Sequence, residues 1–153
     1  MEREQVFISY SHKDKVWLDK LQTMLKPMIR NQTISVWDDT KIQAGVKWKA
    51  EIEQALARAS VAVLMVSPDF LASDFIADHE LPPLLDAALK EGVKIIWIPI
   101  SYCLYDETEI GEYQAVHNPN QPLDALSPAD LNQALVKISK IIKTAVTESS
   151  QNP

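Results

Sequence analysis

Three observations predict an α/β sandwich built on a parallel sheet. Val61–Val66 (VAVLMV) and Val93–Ile100 (VKIIWIPI) are short apolar runs rich in β-branched residues, the mark of strands buried on both faces. Stretches with apolar residues at three- and four-residue spacing alternate with such runs. Each connection fits one crossover helix, which parallel neighbours require. With five strands the natural arrangement is a flavodoxin-like three-layer sandwich, sheet order 2-1-3-4-5, with helices on both faces.

The first strand is Val6–Tyr10 (VFISY), and Ser11–Asp14 turns it into a helix. Val16, Trp17, Leu21, Met24, Leu25 and Met28 give that helix one apolar face through Ile29, and Asn31 closes it. Ile34–Trp37 is the second strand. A loop, Asp38–Val46, comes next with Gly45 as its positive-φ residue. Trp48, Ile52, Leu56 and Ala59 form the inner stripe of the second helix. After the third strand, Ser67-Pro68 stops the run and Asp69–Ala72 is read as a loop. Ser73 caps a helix carrying Phe75, Ile76 and Glu80. Pro82-Pro83 remove two backbone donors, which predicts a kink or break after Leu81 and a new helical segment to Lys90. Gly92 ends it. Ser101–Pro122 is the least regular stretch, with Tyr113–His117 as a short fifth strand at the edge. Ser127-Pro128-Ala129-Asp130 opens the last helix with a cap and a first-turn proline. Leu131, Leu135, Ile138 and Ile142 face inward, and Thr147–Pro153 is expected to fray. Residues 1–146 make one domain, 147–153 its tail.

The totals narrow the function. At 153 residues the chain is one domain with room for a proper core. A net charge of -6 argues against general affinity for nucleic acid or anionic membrane, although a local pocket can oppose the global sign. Cys103 is the only cysteine, so no intrachain disulfide forms and a reducing, cytoplasmic setting is expected. The charged start MEREQ is no signal peptide, and no apolar run approaches a membrane span. His12, His79, His117 and Cys103 show no metal-ligand spacing, so no metal is expected. With three glycines and no GxGxxG or P-loop, the usual phosphate cradle is absent. A phosphoacceptor receiver of this fold needs an aspartate ending the third strand, where Ser67 stands.

In open α/β sheets ligands sit beyond the carboxyl ends of the strands, at the switch point. Here that crevice is lined by Tyr10–Lys13, by the loop after Asp38 and by the segment from Ser67 to Glu80. The same three places carry a family resemblance. VFISYS at Val6–Ser11 followed by Asp14, VWDD at Val36–Asp39 leading to Gly45 and Trp48, and SPDFLASDF…HELP from Ser67 to Pro82 resemble a TIR (Toll/interleukin-1 receptor/resistance protein) domain of the bacterial type. The likeness spans about Val6 to Val146.

The resemblance implies one of two functional classes. Many bacterial, plant and neuronal TIR domains cleave NAD+ at the nicotinamide–ribose bond, releasing nicotinamide and ADP-ribose or a cyclic isomer. Many animal ones are scaffolds that act through TIR–TIR contacts. In the catalytic class a glutamate on the helix after the third strand is essential, and Glu80 occupies that position. Similarity assigns Tyr10, Ser11, Asp38, Trp48, Phe75 and Ile76 to the surroundings of NAD+, which enters as substrate; no cofactor is implied. Trp48 and Tyr10 also fit a plain packing role, and Asp38-Asp39 a strand end. Catalytic relatives often carry Trp four residues before the glutamate. Here Ile76 stands there, with Phe75 beside it, so either the helix is one residue out of phase or the stacking surface is aliphatic.

The chemistry suits a lone carboxylate. Cleaving an N-glycosidic bond to a pyridinium passes through an oxocarbenium-like state, and nicotinamide departs neutral without a general acid. One carboxylate that binds ribose hydroxyls and faces the growing positive charge then suffices. Asp78, two residues away, points to another helix face and is no partner. In catalytic relatives the loop corresponding to Asp38–Val46 packs against a neighbouring subunit, so self-association, as a dimer or filament, is expected to switch activity on. Antiviral or cell-suicide signalling is the implied setting.

Overall fold

The structure is a computed structural model that describes residues 3–42, 45 and 47–151. Four parallel strands, β1 (Gln5–Ser9), β2 (Val36–Trp37), β3 (Ala59–Val66) and β4 (Lys94–Pro99), lie in the order β2-β1-β3-β4. Helices α1 (Lys15–Arg30) and α5 (Pro128–Gln151) cover one face of the sheet, and α2 (Trp48–Arg58), α3 (Pro68–Ala72) and α4 (Leu81–Lys90) cover the other. The flavodoxin-like α/β reading therefore holds, with four strands in place of five.

β3 shows why the sheet is buried on both sides. All eight of its residues are buried. Val61, Val63 and Met65 enter the core under α1 and α5, while Ala62, Leu64 and Val66 enter the core under α2 and α4. This is the period of two that a strand imposes, with both faces apolar. Leu18, Leu21 and Leu25 of α1 and Leu135, Ile138 and Ile142 of α5 complete the first core. Phe70, Leu84 and Trp97 anchor the second.

Five expectations change. The fifth strand reduces to a single bridge, Ala115 with Trp97, where Val116 N–H donates to Trp97 O at 3.1 Å. Ile100 N–H bonds back to Val66 O, so by alternation Pro99 faces the open edge and has no hydrogen to give. The segment Asp69–Ala72 is not a loop but part of α3, because Ser67 caps it and Pro68 occupies its first turn; Phe70 N–H donates to Ser67 Oγ at 3.0 Å. The inner stripe of α2 is Ile52 and Ala55, with Leu56 half-buried; Trp48 is 52% exposed and Ala59 already belongs to β3. Tandem prolines do not break the chain after Leu81. Instead the helix widens into a π turn over Ile76–Glu80 and runs on through α4 to Lys90. Lastly, α5 continues to Gln151 through the stretch expected to fray, with Glu148 paired to Lys94.

Gly45 has a φ of +89° and Gly92 a φ of +76°, the left-handed region that favours glycine. Gln43, Ala44 and Val46 of the loop, and Asn152 and Pro153 of the tail, lie outside the described residues. Among the described residues no helix is long and apolar enough to cross a membrane. The central strand yields a direct test. Leu64 is fully buried, so Leu64→Ala should lower unfolding stability by about 3 kcal/mol, measured by urea denaturation with an unchanged m-value.

Candidate active site

Beyond the carboxyl ends of β1 and β3 lies a cavity of about 660 Å³. Its walls come from the β1 loop (Tyr10 to Lys13), from Asp39 and Ile42 after β2, from Trp48 and Ile52 of α2, and from the segment running from α3 into the π turn. Phe75, Ile76 and Glu80 all line it.

Glu80 is buried, 6% exposed, at the end of the π turn. Ser9, the last residue of β1, donates its hydroxyl to Glu80 Oε1 at 2.5 Å. Burial pushes the Glu80 carboxyl up to about 7 from an ordinary 4.5. The Ser9 hydrogen bond pulls it back, nearby Asp39 adds to the rise, and His12 opposes it. The cavity thus holds a carboxyl poised to change charge near neutral pH, and such perturbed groups cluster at functional sites.

Around it the polar groups are engaged with one another. Tyr10 donates its hydroxyl to Asp39 Oδ1 at 2.8 Å, and His12 Nε2 contacts Asp39 Oδ2. Burial and the Asp39 carboxylate push the Tyr10 phenol up, so it stays protonated and remains a donor. Ser11 accepts from Lys13 N–H at 3.3 Å and shapes the β1 loop, while Lys13 and Asp69 pair at 3.8 Å. The rings of Trp48 and Phe75 meet at 5.5 Å between centroids, and Phe75 meets His79 at 5.2 Å. A half-exposed indole and a phenyl ring therefore form one wall.

The expected site residues are mostly brought together. Tyr10, Ser11, Trp48, Phe75, Ile76 and Glu80 all line the cavity. Asp38 does not, which corrects its assignment. It is fully buried beneath the loop, accepting from Thr40 N–H at 2.9 Å, from the Thr40 hydroxyl and from Gln22 Nε2. A strand-end aspartate followed two residues later by threonine closes an Asx-type turn, and its neighbour Asp39 faces the cavity instead. Ser67 is likewise withdrawn: it donates to Asp14 and caps α3, so it offers nothing to a ligand. Ser9 escapes sequence reasoning. The strand alternation that puts Val6 and Ile8 into the first core carries no sign that the hydroxyl one step on meets a carboxylate 71 residues away. Among the described residues, no group of three or more His, Cys, Asp or Glu could hold a metal ion.

Comparison with known proteins fits this geometry. A family model described as TIR domain matches residues 6–135. The chain belongs to the TIR family. A curated relative, the uncharacterized protein y4lF of Sinorhizobium fredii, is 28% identical over 151 residues, covering 97% of this chain and 46% of that protein. The chain therefore spans about half the length of the curated relative it matches. Among solved structures it resembles the TIR domain of the Toll-related receptor TRR-2 of Hydra magnipapillata, with TM-score 0.56 and 17% identity over 92% of this chain and 96% of that one. A TIR-STING receptor from C. gigas gives TM-score 0.53 at 15% identity, covering 92% of this chain and 39% of that one. The TIR domains of the activated Roq1 resistosome give 0.52 at 14%, covering 98% and 85%. These likenesses concern the TIR fold.

The buried carboxyl makes stability depend on pH. Folded, Glu80 keeps its proton up to about 7, whereas an ordinary glutamate loses it near 4.5. The folded chain thus binds more protons across that window, so stability is greatest below it and declines as pH rises through it. Glu80→Gln should remove the decline and leave the variant more stable than the parent at pH 8, by at most roughly 3 kcal/mol, read from urea unfolding at pH 5 and pH 8. Ser9→Ala removes a donor that favours the ionised form, so the Glu80 midpoint should move above 7, monitored by carboxyl carbon NMR.

Proposed function

We propose that the domain cleaves NAD+ at the nicotinamide–ribose bond, with Glu80 as the catalytic carboxylate. The observation that carries this reading is a single buried carboxyl at the back of an aromatic-walled cavity, held by Ser9 and poised near neutrality. Membership of the TIR family, which includes NAD+-cleaving members, supports it.

The chemistry balances with few groups. The bond from ribose C1′ to the nicotinamide nitrogen breaks heterolytically, and its electron pair stays on the nitrogen, neutralising the pyridinium. Positive charge grows on C1′ and the ring oxygen. The Glu80 carboxylate faces that charge and accepts from ribose hydroxyls, an interaction worth most in a site that excludes water. Water then attacks C1′ and releases its proton, giving ADP-ribose; attack by a nucleophile within the same molecule gives a cyclic isomer. The Trp48 and Phe75 rings supply flat surfaces for the bases of the dinucleotide.

Ionised Glu80 is the working form. A cationic nicotinamide beside it favours ionisation, and free enzyme presents it half-protonated near pH 7. Self-association belongs to the same proposal. Trp48 lines the cavity at the start of α2 while half its surface stays exposed. A second TIR domain packing there would close the site, and the work would then depend on clustering, in an immune or anti-phage signalling role.

The test is chromatographic. Purified protein is incubated with NAD+, dilute and then bead-clustered, beside Glu80→Ala. Free nicotinamide is expected from the parent, more per molecule when clustered, and at least about 10²-fold less from the variant. Its kcat/KM should rise with pH through about 7 and level above. No nicotinamide under any clustering condition, with both proteins folded, would favour the reading as a non-catalytic TIR–TIR scaffold.

A further inference from the structure

Phe75 and Glu80 should not share a face. At about 100° per residue, side chains five apart on an α-helix point about 140° from each other. Yet both line the same cavity. The π turn resolves the conflict. Leu81 N–H reaches back five residues to Ile76 O, and a turn of that width brings residues five apart one above the other. Glu80 closes it with φ of -108° and ψ of -50°, well off the α-helical φ near -63°.

The two prolines beyond the turn explain why it forms. Pro82 and Pro83 have no N–H, so an α-helix here would leave the carbonyls of Asp78 and His79 without donors and press both rings against them. Widening the turn relieves the clash and strands only one further carbonyl, that of Ala77. All three residues are exposed, so water serves those oxygens. Elsewhere a π turn loses to the α register on hydrogen bonds. Before two prolines that disadvantage shrinks to one solvated carbonyl. The packing of Ile76 on one side and Leu84 and Ala87 on the other then locks the spare residue in place.

We propose that Pro82 and Pro83 are positioning residues: by withholding donors from the α register they hold the π turn open, and the π turn aims Phe75 and Glu80 together into the cavity. Its catalytic consequence rests on the NAD+-cleaving reading; the geometry does not. One spare residue in the turn also accounts for an isoleucine standing four residues before the glutamate. The aromatic that accompanies Glu80 is Phe75, five residues before it, and Ile76 is 3% exposed behind it.

The experiment compares the parent, Pro82→Ala/Pro83→Ala, and that double variant with Asp78 deleted. Each is read by carboxyl carbon NMR titration of Glu80 and by nicotinamide release. In the double variant the α register regains its donors, and Glu80 should turn away from Ser9. Its midpoint is expected to fall from about 7 towards 4.5, with nicotinamide release down about 10²-fold and helix content by circular dichroism retained. Deleting Asp78 removes the spare residue and puts the aromatic four before the glutamate on a plain α-helix, one face again. The midpoint should return to near 7 and release should recover. A midpoint that stays near 7 in the double variant overturns the proposal, as does one that falls and is not restored by the deletion. If the midpoint moves and returns while no protein, parent included, releases nicotinamide, the positioning role stands and the NAD+ reading fails.

Discussion

A carboxyl taken out of water needs either a proton or a donor, and the whole upper edge of this sheet is arranged around that requirement. Ser9 brings the donor to the end of β1, and the π turn brings Glu80 to meet it. Neither element could move alone. A shift of one residue along β1 would replace the hydroxyl with an apolar side chain from one of the two cores. An α turn in place of the π turn would point the carboxyl elsewhere. The Ser67–Asp14 contact does the same service one layer back, tying the β1 loop to the cap of α3 so that both walls keep their spacing.

Among the described residues, the charged groups lining the cavity meet different kinds of partner. Asp39 is engaged by Tyr10 and His12, and Lys13 by Asp69. Glu80 meets a neutral hydroxyl, that of Ser9, and among the described residues no ion pair. Once ionised, a group held this way by a neutral hydroxyl has field left for a cation entering the cavity, beside the favourable charge of His12. Under the proposed NAD+-cleaving reading, that field suits the positive ring of the reacting nicotinamide.

Much of the fold is legible in the sequence because its strongest signals are local. The apolar runs at Val61–Val66 and Val93–Ile100 place the buried strands, and strand order then places the crevice. Glu80, Phe75 and Ile76 fall into that crevice by topology, and Trp48 by family resemblance. The illegible part depends on contacts across the chain or on competition between backbone states. Ser9 and Glu80 meet over 71 residues. Asp38 and Asp39 are adjacent and alike, and only the Asx-type turn decides which is buried. Tandem prolines predict a break only where the α-helix is the sole helical option. The widened turn keeps the helix and moves the discontinuity upstream of them.

The sheet's two borders carry a different lesson. β2 is two residues long, and β4 turns Pro99 to its open side with Lys94 at its start. A border that short, or one bridged at Trp97 and interrupted by a proline two residues on, is a poor template for another chain's strand. Crowding is where such borders matter most, since exposed strand edges zip neighbours into irreversible aggregates. Contacts between this fold and a neighbour are thereby steered towards side-chain surfaces, since β2 is too short and β4 too interrupted to template a further strand.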